Sequence, residues 1–312
     1  MTTATVAAAS PTRRRRWVPR FALSVPSWVW YLFFFVIPIG YIVFYSFGYK
    51  PGLLEGGGTI ATDKLSLANY GDAFDETFLT VFRRTLEVAV LGTLLCLLIA
   101  FPLSYWLATK VAPKWRGLLL ALVIVPFWTS FLVRTLAWRI VLAQDGFLSN
   151  LLVDVGIRDS QLSLLDTRTA VQIGVVYNYL PLMIFPLFVA LDRLDPALRE
   201  ASKDLGAGRL KTFTQVTVPL AMPGLVAGLL LVFIPLAGDY ITASVLGGAA
   251  GNMAGALVAT QFLQNQNWAL GSAMAIVLIG TILVALLVAA ALGLLGRTLI
   301  RRRRSVEVVV ST

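Results

Sequence analysis

The chain is 312 residues long, 58% hydrophobic and 13% charged, with a formal net charge of +10. A water-soluble domain carries about 25% charged residues, so this composition, with a mean hydropathy of +0.80, describes a polytopic membrane protein whose length limits the number of spans. There is no histidine, which excludes His-ligated metal and His-based general catalysis. The single cysteine, Cys96, excludes an intrachain disulfide and reports no redox compartment.

Residues 1–26 are polar, small and basic, with Arg13, Arg14, Arg15, Arg16 and Arg20. Such a run suits a nucleic-acid arm or a disordered cytosolic tail that fixes topology, and the oily chain behind it favours the tail. A signal peptide fits poorly. The apolar run 28–47 is longer than a signal h-region and lacks a small-x-small cleavage site. It reads as the first span, with Trp28, Trp30, Tyr31, Tyr45 and Tyr49 as interfacial anchors and Pro38 as a predicted kink. A polar, net acidic loop follows over 49–80, containing Gly56-Gly57-Gly58; no lysine follows at phosphate-loop spacing.

The second span is predicted over 85–108 and is followed by a basic turn with Lys110, Lys114 and Arg116. The third covers 118–142 and contains Pro126-Phe127-Trp128, Arg134 and Arg139. A polar loop over 144–168 carries a short helix near 148–155. The fourth span, 170–191, holds Tyr177-Asn178-Tyr179 and is broken by Pro181 and Pro186.

A polar island then interrupts the apolar pattern over 193–222. Asp195 can cap a helix that has Pro196 at its first position, where a missing N–H costs nothing. Leu194, Leu198, Ala201 and Leu205 make one apolar stripe, and Gly206 is a left-handed stop. Leu210, Phe213, Val216 and Thr217 mark a second short helix, closed by Pro219. The fifth span, 223–245, carries Pro235, Gly238 and Asp239; a Gly-rich loop and the sixth span, 270–295, complete the set. Arg297 and Arg301–Arg304 close it before a short basic tail, 301–312. Each predicted span is long enough for ~30 Å of hydrocarbon.

Topology follows from the basic residues. With the N-terminus inside, 18 Lys and Arg fall in cytoplasmic segments, 6 in outer segments and 2 within the third span. That bias sets both termini and the 193–222 island on the cytoplasmic side. It also accounts for the positive charge without nucleic acid.

The island resembles a known motif. Glu200-Ala201-Ser202, three residues, Gly206, nine residues, then Val216-Thr217-Val218-Pro219 is similar to the EAA loop of binding-protein-dependent ABC importer permeases, E-A-A, three, G, nine, I-x-L-P. Serine stands for the second alanine and valines for the isoleucine and leucine. Val125-Pro126-Phe127-Trp128-Thr129 with Arg134, Gly238-Asp239-Tyr240 before Gly247-Gly248, and Gln261-Phe262-Leu263 with Trp268 resemble the spermidine/putrescine-type permease. The likeness runs from the first span onward and omits the first 26 residues.

The resemblance implies an all-α integral membrane protein of the ABC importer type I permease fold, with six transmembrane helices over 27–300 and a cytoplasmic coupling hairpin. Glu200, Ala201, Ser202, Gly206, Val216 and Pro219 would engage an ATPase subunit, against the plainer reading of a solvated helix with surface charges. Implied partners are ABC ATPase subunits, a second homologous permease subunit, an extracytoplasmic substrate-binding protein and the lipid bilayer of the plasma (inner) membrane. The chain lacks the G-x-x-x-x-G-K-[ST] pattern, so ATP and Mg are expected on the partner, with no cofactor, metal or catalytic residue here.

Polar groups inside spans are expensive and mark pathways by default. Asp239, Tyr240, Tyr177, Asn178 and Arg134 are therefore candidate pathway residues. Asp239 sits about 24 Å along its predicted helix, so the alternative is that it snorkels to the outer interface. The expected function is import of a polyamine by alternating access. Rivals are a permease for thiamine, ferric iron or an aminophosphonate, an ATP-independent secondary transporter, or a membrane-embedded enzyme. No catalytic cluster supports the last.

Overall fold

A computed structural model describes residues 20–52, 57–156, 160–249 and 251–310, with side chains described between Ser24 and Ala291. The first helix, α1 (Arg20–Tyr31), passes through a π-turn at Leu32–Val36 into α2 (Ile37–Tyr45). After α3 (Ala68–Ala73) come the long α4 (Glu76–Thr109) and α5 (Pro113–Ile124) with a 3-10 turn at Val125–Trp128. Then follow α6 (Phe131–Val141), α7 (Phe147–Asp154), α8 (Arg168–Asp192), α9 (Pro196–Asp204) and α10 (Arg209–Thr212). A second π-turn, Phe213–Thr217, leads into α11 (Val218–Ala237), followed by α12 (Ile241–Leu246), α13 (Ala254–Leu263) and α14 (Trp268–Val310). Among the described residues, five helices are long and apolar enough to cross a membrane, or six if the bent pair α5–α6 counts as one span.

The core is α4, α8 and α11. Along α4, Ala89, Thr93, Cys96, Ala100, Ser104 and Leu107 are buried at three- and four-residue intervals, a mostly small stripe that lets backbones approach. The opposite face, with Leu91, Leu94 and Leu98, is exposed. Cys96 Sγ reaches the Val176 carbonyl at 3.6 Å and Ser104 Oγ donates to the Ile184 carbonyl at 3.2 Å. Both pairs advance together along the two helices, so α4 and α8 run parallel. α11 runs antiparallel to α8: Gly228 packs on Met183, and four residues earlier Gly224 packs on Pro186 and Ala190. Interhelical hydrogen bonds in membranes average only ~0.6 kcal/mol, and apolar lipid supplies no hydrophobic drive, so close packing is the main term holding this trio.

The first span is different: none of the described side chains in its apolar window is buried. Its C-terminal end is tied down instead. Asn69 Nδ2 donates to the Ser46 and Gly48 carbonyls at 2.9 and 2.7 Å, and the Trp268 N–H donates to the Thr59 carbonyl at 3.1 Å.

Three sequence-based expectations are corrected. The third span is not one straight helix: α5 with its 3-10 turn and α6 meet at 88°. Hydropathy sums across this break, but Pro126 removes a helical donor and Thr129 is extended. The Pro126 carbonyl accepts instead from the Thr129 N–H at 3.3 Å and the Thr129 hydroxyl at 2.7 Å.

Pro219 does not close a second short helix, because α10, the π-turn and α11 form a continuous 29-residue helix, Arg209–Ala237. A π-turn is wider than an α-turn and makes room for a proline ring on its C-terminal side. The same device precedes Pro38: each π-turn ends two residues before its proline. That helix also ends earlier than the predicted fifth span, at Gly238, and α12 follows as a separate element. Most of the expected N-terminal tail, residues 1–19, lies outside the described residues, and α1 begins at Arg20.

The α8–α11 crossing generates a prediction. A Cβ on Gly224 would collide with the Ala190 Cβ and the Pro186 carbonyl. Gly224→Val is expected to lower the detergent-solubilised thermal midpoint by several degrees, given about 1–3 kcal/mol for overpacking. Gly117→Ala, where nothing lies within 4 Å of the added carbon, should leave it unchanged. Equal midpoints for wild type and Gly224→Val would remove this crossing from the set of tight contacts.

Candidate functional site: a capped hairpin and an interior polar joint

The hairpin grows from the end of α8. Arg116 forms an ion pair with Asp192 and donates through Nε to the Val111 carbonyl at 3.0 Å, which fixes the hairpin's root to the start of α5. Asp195 Oδ1 then accepts from the Ala197 N–H at 2.9 Å, capping α9, with Pro196 in its first turn. At the other end the Gly206 N–H donates to the Lys203 carbonyl at 2.8 Å and the Ala207 N–H to the Ser202 carbonyl at 3.1 Å. Those two bonds make a Schellman stop. Gly206 adopts φ 82° there, a conformation that costs a residue with a Cβ roughly 1–2 kcal/mol.

Capped at both ends, α9 buries none of its residues. Leu198 is 48% exposed, Leu205 89% and, on α10, Leu210 76%. Glu200 and Ala201 are exposed on the same short helix, Ser202 is half-buried, Val216 is half-buried in the π-turn and Pro219 is exposed beyond it. An amphipathic helix that presents its apolar stripe outward is a surface made to meet another protein. The hairpin's other arm is anchored by Phe213, whose ring meets Phe101 and Tyr105 edge-on at 5.5 and 5.8 Å.

The candidate pathway residues collect where α6, α8 and α12 meet, past the end of α11. Asp239 is 5% exposed, and its Oδ1 accepts from the Thr242 N–H at 3.0 Å, so it caps α12. Its Oδ2 has no hydrogen bond, and neither has the Thr242 hydroxyl. At the far end of α12, Arg139 Nη1 donates to the Val245 carbonyl at 2.9 Å. An acid at the N-terminus and a base at the C-terminus both favour the helix dipole.

Arg134 is buried, with its guanidinium 4.7 Å from the Phe127 ring centre and 5.7 Å from that of Phe131. Asn178 is buried and donates to Thr135 at 3.1 Å, while Tyr177 is partly exposed and packs edge-on against Trp138 at 5.3 Å. Tyr240 is 46% exposed. Tyr179, which the sequence reading left out, donates to the Pro235 carbonyl at 3.4 Å and lies within electrostatic reach of both Asp239 and Arg134. Thr135, Arg139 and Thr242 were missed likewise. Membership of a turn-and-helix joint is set by chain folding; the sequence signals were Tyr179's place beside Tyr177 and Asn178 and the charge of Arg139 inside the third span.

Comparison with known proteins bears on both features. A family model described as a binding-protein-dependent transport system inner membrane component matches residues 100–304, which includes the hairpin and the joint. The chain is 39% identical over 259 residues to the spermidine/putrescine transport system permease protein PotB of Haemophilus influenzae, covering 83% of this chain and 88% of that one. It is 39% identical over 213 residues to PotB of Escherichia coli K12, covering 68% and 77%. A chain of a solved bacterial ABC transporter involved in import of the acidic polysaccharide alginate superposes with TM-score 0.70 at 17% identity, covering 87% of this chain and 93% of that one. That likeness is one of fold. The protein therefore belongs to the binding-protein-dependent transport system inner membrane components, as a membrane-spanning permease subunit of the ABC importer type.

Proposed function

We propose that this chain is the permease subunit of an ATP-driven importer of polyamines, with both termini cytoplasmic. The doubly capped α9, exposed along its apolar stripe, carries the coupling half of this reading. An ATPase subunit grips the hairpin through Glu200, Ala201, Ser202 and the Gly206 turn, with Val216 and Pro219 continuing the grip into the long helix. ATP and Mg belong to that partner, and this chain contributes movement rather than chemistry. A second permease subunit and an outer substrate-binding protein complete the assembly. The substrate half is supported by the spermidine/putrescine permeases that are 39% identical to it.

Mechanically, closure of the ATPase pair moves α9, and the 29-residue helix Arg209–Ala237 carries that displacement to the Gly238–Asp239 break. The route past that break is lined by Asp239, Tyr240, Tyr177 and Asn178. An ammonium leaving water meets a carboxylate and the faces of tyrosines, each worth ~0.5–2 kcal/mol as a cation–π contact. Arg134, enclosed by Phe127 and Phe131, is held back from a cationic cargo by those rings.

Two measurements test the halves separately. Gly206→Val and Glu200→Ala are expected to insert normally yet co-purify with less ATPase and transport more slowly. Undiminished retention and uptake in both would end the coupling assignment. For the path, Asp239→Asn can still accept the Thr242 N–H and so keeps α12 capped while removing the charge. Labelled spermidine or putrescine uptake, normalised to chain in the membrane, should fall about tenfold, the worth of one charge-assisted hydrogen bond, and Asp239→Glu should retain more. Equal uptake by wild type and Asp239→Asn makes Asp239 a helix cap alone. Absence of polyamine uptake by the wild type discards the substrate and leaves the permease standing.

A further inference from the structure

The two arms of the hairpin are joined by a weak-looking turn. Residues 205–208 include Gly206 and Gly208, and a side chain at either would meet nothing within 4 Å. The turn is therefore uncrowded, with two glycines free to absorb changes in φ and ψ. Since α9 buries none of its residues, hydrophobic packing does little to hold it against α10. One side-chain bond crosses between the arms among the described residues: Ser202 Oγ and Thr212 Oγ1 stand 3.0 Å apart. Thr212 is 5% exposed and sits at the end of α10, one residue before the Phe213 anchor. Ser202 is the position where this chain departs from the second alanine of the E-A-A pattern.

A pull on α9 has two ways to go. It can be spent bending the glycine turn, or it can be passed across to α10 and into the long helix. A cross-link between the last turn of α9 and the root of that helix makes bending costly, because the turn can open only by breaking the bond. We propose that Ser202 and Thr212 form a positioning tie that makes the hairpin move as one body, so that displacement of α9 reaches α11 rather than dissipating at Gly206 and Gly208. The inference rests on the coupling role assigned above and deepens it. The tie touches no substrate and no nucleotide; it acts through the helix it braces.

The test uses the whole transporter, co-expressed with its ATPase, second permease and binding protein and reconstituted in vesicles. The readout is substrate taken up per ATP hydrolysed, with ATPase co-purification measured in parallel. Thr212→Val should leave the ATPase bound but lower uptake per ATP about three- to tenfold, the range spanned by loss of one net hydrogen bond. Ser202→Ala should lower it at least as much, because Ser202 also belongs to the surface assigned to the ATPase; the double variant should fall no further than Ser202→Ala, and Thr212→Ser, which keeps the hydroxyl, should stay near wild type. Singles at the wild-type ratio, a double variant that multiplies the single losses, or a Thr212→Ser as poor as Thr212→Val would each overturn the tie. Glu200→Ala separates the two failures. If it impairs ATPase retention while the hydroxyl variants are silent, only the tie is lost; if it too is silent, the coupling reading fails.

Discussion

Hydrocarbon offers no hydrogen-bond partner, so every interruption of a helix in this chain has to be satisfied from within the protein. The constraint explains arrangements that otherwise look unrelated. The Thr129 N–H and hydroxyl both turn back to the Pro126 carbonyl at the 88° bend. Tyr179 serves the Pro235 carbonyl near the end of α11, where helical partners run out. Asp239 and Arg139 serve the two ends of α12. An unsatisfied polar group buried in protein costs about 1–3 kcal/mol, so each of these side chains matters more than its own bond would suggest. Asp239 Oδ2, Thr242 Oγ1, Asn178 Oδ1 and Arg134 Nε, buried without a hydrogen bond, lie on the elements that meet at this joint, α6, α8 and α12 with the short turn before it.

The hairpin and the joint lie at opposite ends of one element. A 29-residue helix is about 43 Å long at 1.5 Å per residue, long enough to cross ~30 Å of hydrocarbon. It is clamped along its length by the glycine crossing with α8 and at its root by Phe213 between Phe101 and Tyr105. Packed interiors do not deform continuously, so a rod held this way transmits displacement as a rigid shift.

Much of this was legible in the sequence, and the reasons differ from element to element. Hydropathy located the spans because a membrane demands length and apolarity together. Asp195, Pro196 and Gly206 announced the caps of α9, since each has a narrow conformational use. Hydropathy was blind to the bend at Pro126 and the end of the helix at Gly238, because the average over each window stays apolar despite Thr129-Ser130 and Asp239. Pro219 misled for a related reason: proline ends a helix only where no wider turn accommodates it, and the Phe213–Thr217 π-turn does so. The Ser202–Thr212 contact and the role of Tyr179 depend on distances across the fold, which spacing along the chain does not encode.

The π-turn has one more consequence. An α-helix advances about 100° per residue around its axis, so a turn holding one additional residue rotates everything before it relative to everything after it. In this chain the rotated part is α10 and, through the hairpin, α9. Which side of α9 faces outward is therefore decided by the number of residues between Gly206 and Pro219, independently of what most of them are. A single insertion or deletion there would leave composition and hydropathy almost untouched, yet turn Leu198 and Leu205 away from the surface they now present. The interval that identifies the motif in sequence is, in the folded chain, an angle of aim.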